Sequence, residues 1–186
     1  MKQIMITVKP EYLVNILNGY KTLELRTYIL KNFDKIVKEQ GGIWVNVYCS
    51  KSKPYLDQDI GRYFLVRGLD YIGYPVLNDK VVCRFWFDEY SFMEYFNNDF
   101  VIDGAYNYNQ LFQDGVHPKN MCLTNNELVQ YGKGKDLYAW HIKQLEIFDD
   151  PKELGEFQNY YRKEKIDYKP LTHAPQKYAY VWGKEE

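Results

Sequence analysis

The amino-acid sequence predicts an α+β fold: a curled, mostly antiparallel β-sheet with short helices at its flanks. Short alternating apolar segments are interrupted by short stretches of helical period, without the βαβ rhythm of a parallel sheet. Aromatic residues make up 18% of the chain, with 19 Tyr and 4 Trp. Such side chains favour strands and combine a flat apolar body with a polar tip, which suits a β-rich core or a groove wall. Across 186 residues there is no repeat, no low-complexity tract and no linker, so a single domain over 1–186 is expected.

Gln3 to Val8 reads as the first strand. Pro10 then opens a helix with Leu13, Ile16 and Leu17 on one face. Proline suits a first helical turn, where its missing N–H is no loss, and Gly19 suits the left-handed residue just past the end. From Lys21 to Thr27 the period becomes two, with Leu23 and Leu25 toward a core and Thr22, Glu24 and Arg26 toward the other side. Strict alternation puts Lys21 with the leucines. It directly follows the helix stop, however, so its long side chain can still turn the other way. Tyr28 to Gln40 holds Ile29, Phe33, Ile36 and Val37 at helical spacing, and Gly41-Gly42 ends it. Ile43 to Ser50 alternates as a strand.

Lys51 to about Asp79 reads as a loop and Lys80 to Tyr90 as a strongly apolar strand. Phe92 to Gln113, rich in Asn, Asp and aromatics, is either a helix followed by a loop or an insertion around 90–120. Thr124 with Glu127 three residues on forms a capping-box pattern, closed by Gly132. Leu137 to Phe148 is the longest strand candidate, and Asp149-Asp150-Pro151 reads as the cap of a short helical turn over 152–154. Residues 155–170 are charged and irregular, and Lys177 to Trp182 is a closing strand.

The net charge of −1 argues against a surface that coats DNA. Residues 1–56 carry nine Lys or Arg against four acids, and the remainder fifteen against twenty-one. That asymmetry permits a basic patch on a neutral protein. Three cysteines, Cys49, Cys83 and Cys122, have no C-x-x-C spacing and read as buried thiols of a reducing compartment. The apolar run at the N-terminus is short for a signal peptide, and no stretch has the length of a membrane span. A cytoplasmic monomer without membrane attachment is expected.

His117, His141 and His173 are isolated, so no metal ligand set and no cofactor is expected; His141 reads as a hydrogen-bonded structural residue. Cys49 is a weak nucleophile candidate among apolar neighbours. The strongest constellation is Lys21, Thr22, Glu24 and Arg26. A lysine beside a glutamate in a partly closed groove either forms an ion pair that holds a polar ligand or loses its proton and acts as a base; on an open strand the same residues are solvated cross-pairs. Ser50, Lys51, Ser52 and Lys53 alternate hydroxyls with ammonium groups, which suits phosphate oxygens or an ordinary solvated loop. Tyr48, Trp140 and Tyr180 offer rings either for stacking on a base or for the core.

Gly19-Tyr20-Lys21-Thr22-Leu23-Glu24-Leu25-Arg26 resembles the signature of the ASCH domain family, relatives of the PUA RNA-binding barrel. The stretches Leu123–Gly132 and Tyr138–Ile142 resemble the second half of that family. Ala174–Trp182 resembles the tail of its phage and bacterial members. The likeness implies a PUA-like barrel in which the segment around Lys21 lines a ligand groove. It also implies a partner that is RNA or a nucleoside or nucleotide. The expected function is therefore recognition of a base or modified nucleoside by Lys21, Thr22, Glu24, Arg26, Tyr48, Ser50, Lys51, Lys53 and Trp140. One branch of the family hydrolyses acetylated cytidine with a motif resembling G-x-K-T-x-T-x-R. Here Glu24 stands where that branch has its catalytic threonine, and a carboxylate is not an equivalent nucleophile. An amidohydrolase or ribonuclease using Lys21, Thr22 and Glu24 is the alternative; a protein-interaction module built on the Tyr-rich 90–113 segment is another.

Overall fold

The computed structural model describes residues 2–67, 76–102, 118–160 and 169–182. In chain order its elements are strand β1 (Lys2–Val8), helix α1 (Pro10–Leu17), β2 (Leu23–Arg26), α2 (Phe33–Gln40), β3 (Ile43–Cys49), β4 (Tyr55–Asp59), β5 (Arg62–Val66), β6 (Val81–Phe87), β7 (Tyr90–Phe96) and β8 (Asp99–Ile102). They continue with α3 (Pro118–Met121), α4 (Asn125–Gly132), β9 (Leu137–His141), β10 (Lys143–Lys152), a 3₁₀ turn at Leu154–Glu156, β11 (Gln158–Asn159) and β12 (Tyr178–Trp182). This is the sheet-rich α+β content the sequence predicts. The chain divides into two compact units: Met1–Asn18, Ile43–Trp86 and Gln144–Glu186 form the first, and Gly19–Gly42 with Phe87–Lys143 the second.

The first unit holds a six-stranded sheet in the order β10-β6-β3-β1-β12-β11. Its β1 runs antiparallel to β12, yet parallel to β3 with Ile4 opposite Val45 and Ile6 opposite Val47. Parallel neighbours need a long crossover, and residues 9–42 supply it. Ile4, Ile6, Val45 and Val47 are fully buried. Helix α1 buries Leu13, Ile16 and Leu17 as its spacing predicts, and Gly19 sits at φ 74°. Asn18 fastens the end of α1 to β5: its Nδ2 donates to the Tyr63 carbonyl at 2.8 Å and its Oδ1 accepts from the Tyr63 N–H at 3.2 Å.

The loop expected over 51–79 instead contains the β4–β5 hairpin. Its two-residue turn, Ile60-Gly61, has positive φ at both positions, the conformation that matches the twist of paired strands. The helix expected over 152–154 is replaced by β10 running on to Lys152; the cap is Glu153, which exchanges hydrogen bonds with Glu156 over the 3₁₀ turn. The single strand expected over 137–148 divides at Ile142, where the chain leaves one sheet for another.

The second unit holds a four-stranded sheet, β2-β9-β7-β8, antiparallel throughout. Residues 90–102, expected as part of a helix or an insertion, form the β7–β8 hairpin; 103–117 lie outside the described residues. One face of this sheet packs Leu23, Leu25, Met93, Leu137 and Ala139 with Phe100, Met121 and Leu128. Helix α2 begins at Phe33 rather than Tyr28, because Asn32 adopts the left-handed conformation at φ 62°. Asparagine tolerates that state better than most residues, and it leaves Tyr28 outside the helix, edge-on to Trp140 at 6.0 Å.

Helix α4 carries the capping box read from the sequence: the Glu127 N–H donates to Thr124 Oγ1, and the Thr124 N–H donates to Glu127 Oε2 at 2.8 Å. Thr124→Ala is expected to lower stability by about 1 kcal/mol, read as the shift in the midpoint of urea unfolding.

Candidate functional site

Strand β2 is held from several sides within the second unit. The Thr22 N–H donates to the Asn120 carbonyl at 2.9 Å, and the Thr22 carbonyl accepts from Ile142 N–H at 2.9 Å. Tyr131 donates its hydroxyl to the Leu25 carbonyl at 2.8 Å. Along β9, Glu24 stands opposite Trp140 and Arg26 opposite Tyr138. Alternation thus sends Leu23 and Leu25 into the apolar core and Glu24 and Arg26 to the opposite face.

On that face the charged side chains converge. Lys21 Nζ lies 2.9 Å from Glu24 Oε2, and an Arg26 guanidinium nitrogen lies 2.8 Å from Glu24 Oε1. Lys21 precedes the strand proper, so its side chain is free of the strand's period and turns onto the glutamate. All three are buried, at 4% exposure for Lys21, 5% for Glu24 and 9% for Arg26. Burial alone pushes a carboxyl pKa up, but Lys21 and Arg26 outweigh it and hold Glu24 below its ordinary value. Burial likewise disfavours the Arg26 charge, and Glu24 outweighs it, so the Arg26 pKa is raised. Glu24 is therefore a committed anion, suited to accepting hydrogen bonds and ill suited to taking a proton near neutral pH. Thr22, just ahead of the strand, is exposed.

Trp140 is fully buried, and its ring lies on Phe87 at 4.3 Å with planes 11° apart. Phe33 covers the stack through Phe87 at 4.5 Å. Of the two roles open to Trp140 from its sequence, packing is the one it fills: a fully covered ring offers no face for a base. His141 donates to or accepts from Ser91 Oγ through Nε2 at 2.9 Å, in keeping with a hydrogen-bonded structural residue.

Tyr48, Ser50, Lys51 and Lys53 belong to the first unit. Tyr48 is 3% exposed and packs with Met5, Val81 and Val181, and its hydroxyl donates to Asp79. That corrects the expectation of a stacking surface: the ring is spent in the core. Asp79 also holds Lys51, with Nζ 2.9 Å from Oδ2. Ser50 and Ser52 share a hydrogen bond at 2.7 Å, so three of the four polar residues expected at a phosphate answer to neighbours in the protein. Cys49 is fully buried and its thiol is pushed up to about 12, chiefly by burial and then by Glu11; it is no nucleophile at neutral pH.

Lys53 is different. With Glu11, Pro54, Tyr55, Val66 and Arg67 it lines a hollow of about 410 Å³. Glu11, Tyr55 and Arg67 were invisible as a group in the sequence because the turn that pairs β4 with β5 is Ile-Gly rather than the usual Asn-Gly. The β-prone apolar run Tyr63-Phe64-Leu65-Val66 behind it was the available signal. Among the described residues no cluster of three or more His, Cys, Asp or Glu is placed to hold a metal ion, and no helix is long and apolar enough to cross a membrane.

The class of protein these units define is an ASCH fold. Over 97% of this chain and 87% of the other, the structure is similar to the crystal structure of ASCH from Zymomonas mobilis, with a TM-score of 0.52 at 14% identity. A mutant of the same Zymomonas mobilis protein matches over 97% of this chain and 88% of that one, with a TM-score of 0.51 at 14% identity. No family model matches the sequence, and no curated protein does.

Because the Glu24 carboxyl binds its proton less readily when folded than unfolded, its contribution is fully present above the ordinary value of 4.5 and is lost as the pH falls through the lower folded value. Glu24→Gln leaves Lys21 and Arg26 buried without their anion and is expected to destabilise by about 3–5 kcal/mol at pH 7. The loss should shrink on acidification, where the parent protein forfeits the same carboxylate. Urea unfolding of both proteins from pH 7 to pH 3 measures it; parallel curves would mean the triad is not coupled to folding.

Proposed function

We propose that the protein binds RNA or a nucleotide and recognises a base or modified nucleoside through polar groups centred on Lys21, Glu24 and Arg26. The observation that carries this reading is the buried triad. Three charged residues, none more than 9% exposed, return little stability compared with apolar residues of the same size. Buried, perturbed charges concentrate where a protein acts on something else. A carboxylate that stays ionised is the acceptor an exocyclic base amine requires, and the flanking cations suit carbonyl or phosphate oxygens. The ASCH fold supports the same reading.

The committed charge of Glu24 favours binding over turnover, since an acyl-transfer or proton-abstracting step needs a group that can give or take a proton. Lys21→Met keeps the length of the side chain and leaves Glu24 one cation, Arg26. Its affinity for short single-stranded RNAs and nucleosides, measured by calorimetric titration, is expected to fall at least tenfold with the fold retained by circular dichroism. Equal affinities for parent and variant would refute the assignment.

A further inference from the structure

We infer that the hollow beside the β4–β5 hairpin is a binding site for a single nucleoside 5′-monophosphate whose base carries an exocyclic amine. The phosphate is drawn either from a free nucleotide or from the 5′ end of an RNA. The inference takes from the preceding reading only that the ligand is nucleotide-like; its residues, all in the first unit, are separate from the triad, and one of them, Lys53, the sequence already marked for phosphate.

The volume, about 410 Å³, falls among those of small-ligand pockets, which run from roughly 300 to 1,000 Å³. Its lining is divided by chemistry. Lys53 and Arg67 bring two positive charges, and among the described residues neither has a carboxylate partner. That sets them apart from Lys51, which Asp79 holds. Two cations on one rim, without a carboxylate partner among the described residues, make a site for a dianionic terminal phosphate, with arginine able to grip two oxygens at once. Tyr55, Pro54 and Val66 provide the flat and apolar wall; the Lys53 ammonium lies 5.9 Å from the centre of the Tyr55 ring, so charge and ring are within one nucleotide of each other.

Glu11 completes the set. One of its carboxylate oxygens is 3.8 Å from Lys9 Nζ, while Oε2 is buried and has no hydrogen-bond partner among the described residues. A buried acceptor left unmade costs free energy until a donor arrives. In a hollow already supplied with cations and a ring, the donor that fits is an N–H₂ on a base edge, the group that separates cytosine and adenine from uracil.

Calorimetric titration of the whole chain tests this with cytidine monophosphate, uridine monophosphate, cytidine, inorganic phosphate, and a five-nucleotide RNA beginning with C, with and without its 5′ phosphate. Cytidine monophosphate or the phosphorylated RNA should bind at least tenfold more tightly than the same molecule without phosphate, and at least fivefold more tightly than the uridine form. Lys53→Ala with Arg67→Ala, two exposed positions, should abolish the preference for phosphate. Glu11→Leu should abolish the preference for cytidine over uridine. Binding no tighter than that of inorganic phosphate, or unaffected by the double variant, overturns the site. If short RNA binds and responds to Lys21→Met but not to the hollow variants, the hollow falls while the triad assignment stands; the reverse pattern refutes the triad alone.

Discussion

One carboxylate sets the character of the second unit. Glu24 stands on a strand whose other face is committed to an apolar core, so it cannot turn outward without pulling Leu23 and Leu25 with it. Held there, it needs positive charge, and the chain provides that charge from both directions, Lys21 upstream and Arg26 downstream. The backbone around it is fixed accordingly: Thr22 is bonded at both its N–H and its carbonyl, and Leu25 by the Tyr131 hydroxyl. A buried ion cluster is weak evidence for stability in itself. Its value lies in direction, since it holds an anion and two cations in a fixed arrangement around a strand where Glu24 stands opposite Trp140.

In the first unit several polar groups meet in the loops instead. Asp79 gathers Tyr48 and Lys51, and Asn78, 8% exposed, accepts from the Leu56 N–H and donates to the Ser52 carbonyl. These contacts close the polar ends of the 50–54 segment on themselves. What they leave over is the rim of the hollow, where Lys53, Arg67 and one oxygen of Glu11 have no carboxylate or hydrogen-bond partner among the described residues. The two units therefore place charge differently: a buried cluster around one strand in the second, and side chains around a hollow in the first.

Much of the fold was legible because its signals are local. Pro10 and Gly19 bracket a helix by their own φ preferences, Thr124 and Glu127 cap another within four residues, and the alternation at Leu23–Arg26 separates core from charge. The meeting of Lys21, Glu24 and Arg26 was readable for the same reason, lying within six consecutive residues. What was hidden depends on partners far along the chain. Tyr48 and Trp140 look the same in sequence whether a ring is bare or covered; Asp79, Phe87 and Phe33 decide it. The hairpin at 55–66 lacks the turn dipeptide that announces a reversal, the one at 90–102 turns on Asn97-Asn98 amid a segment rich in Asn, Asp and aromatics, and Asn32 cut a helix short by a conformation its pattern does not encode.

The strand order of the larger sheet has a kinetic consequence. Ile4 is flanked by Val45 on one side and by Tyr180 on the other, so this segment lies between one that must cross over and one that is made far later along the chain. Helical turns such as α4 can form as soon as they leave the ribosome, but β1 keeps one row of peptide groups unmatched until β12 arrives. Assembly of this sheet is thereby deferred until β12 has been made, and in the interval the nascent chain carries an apolar, half-paired strand of the kind that chaperones shield.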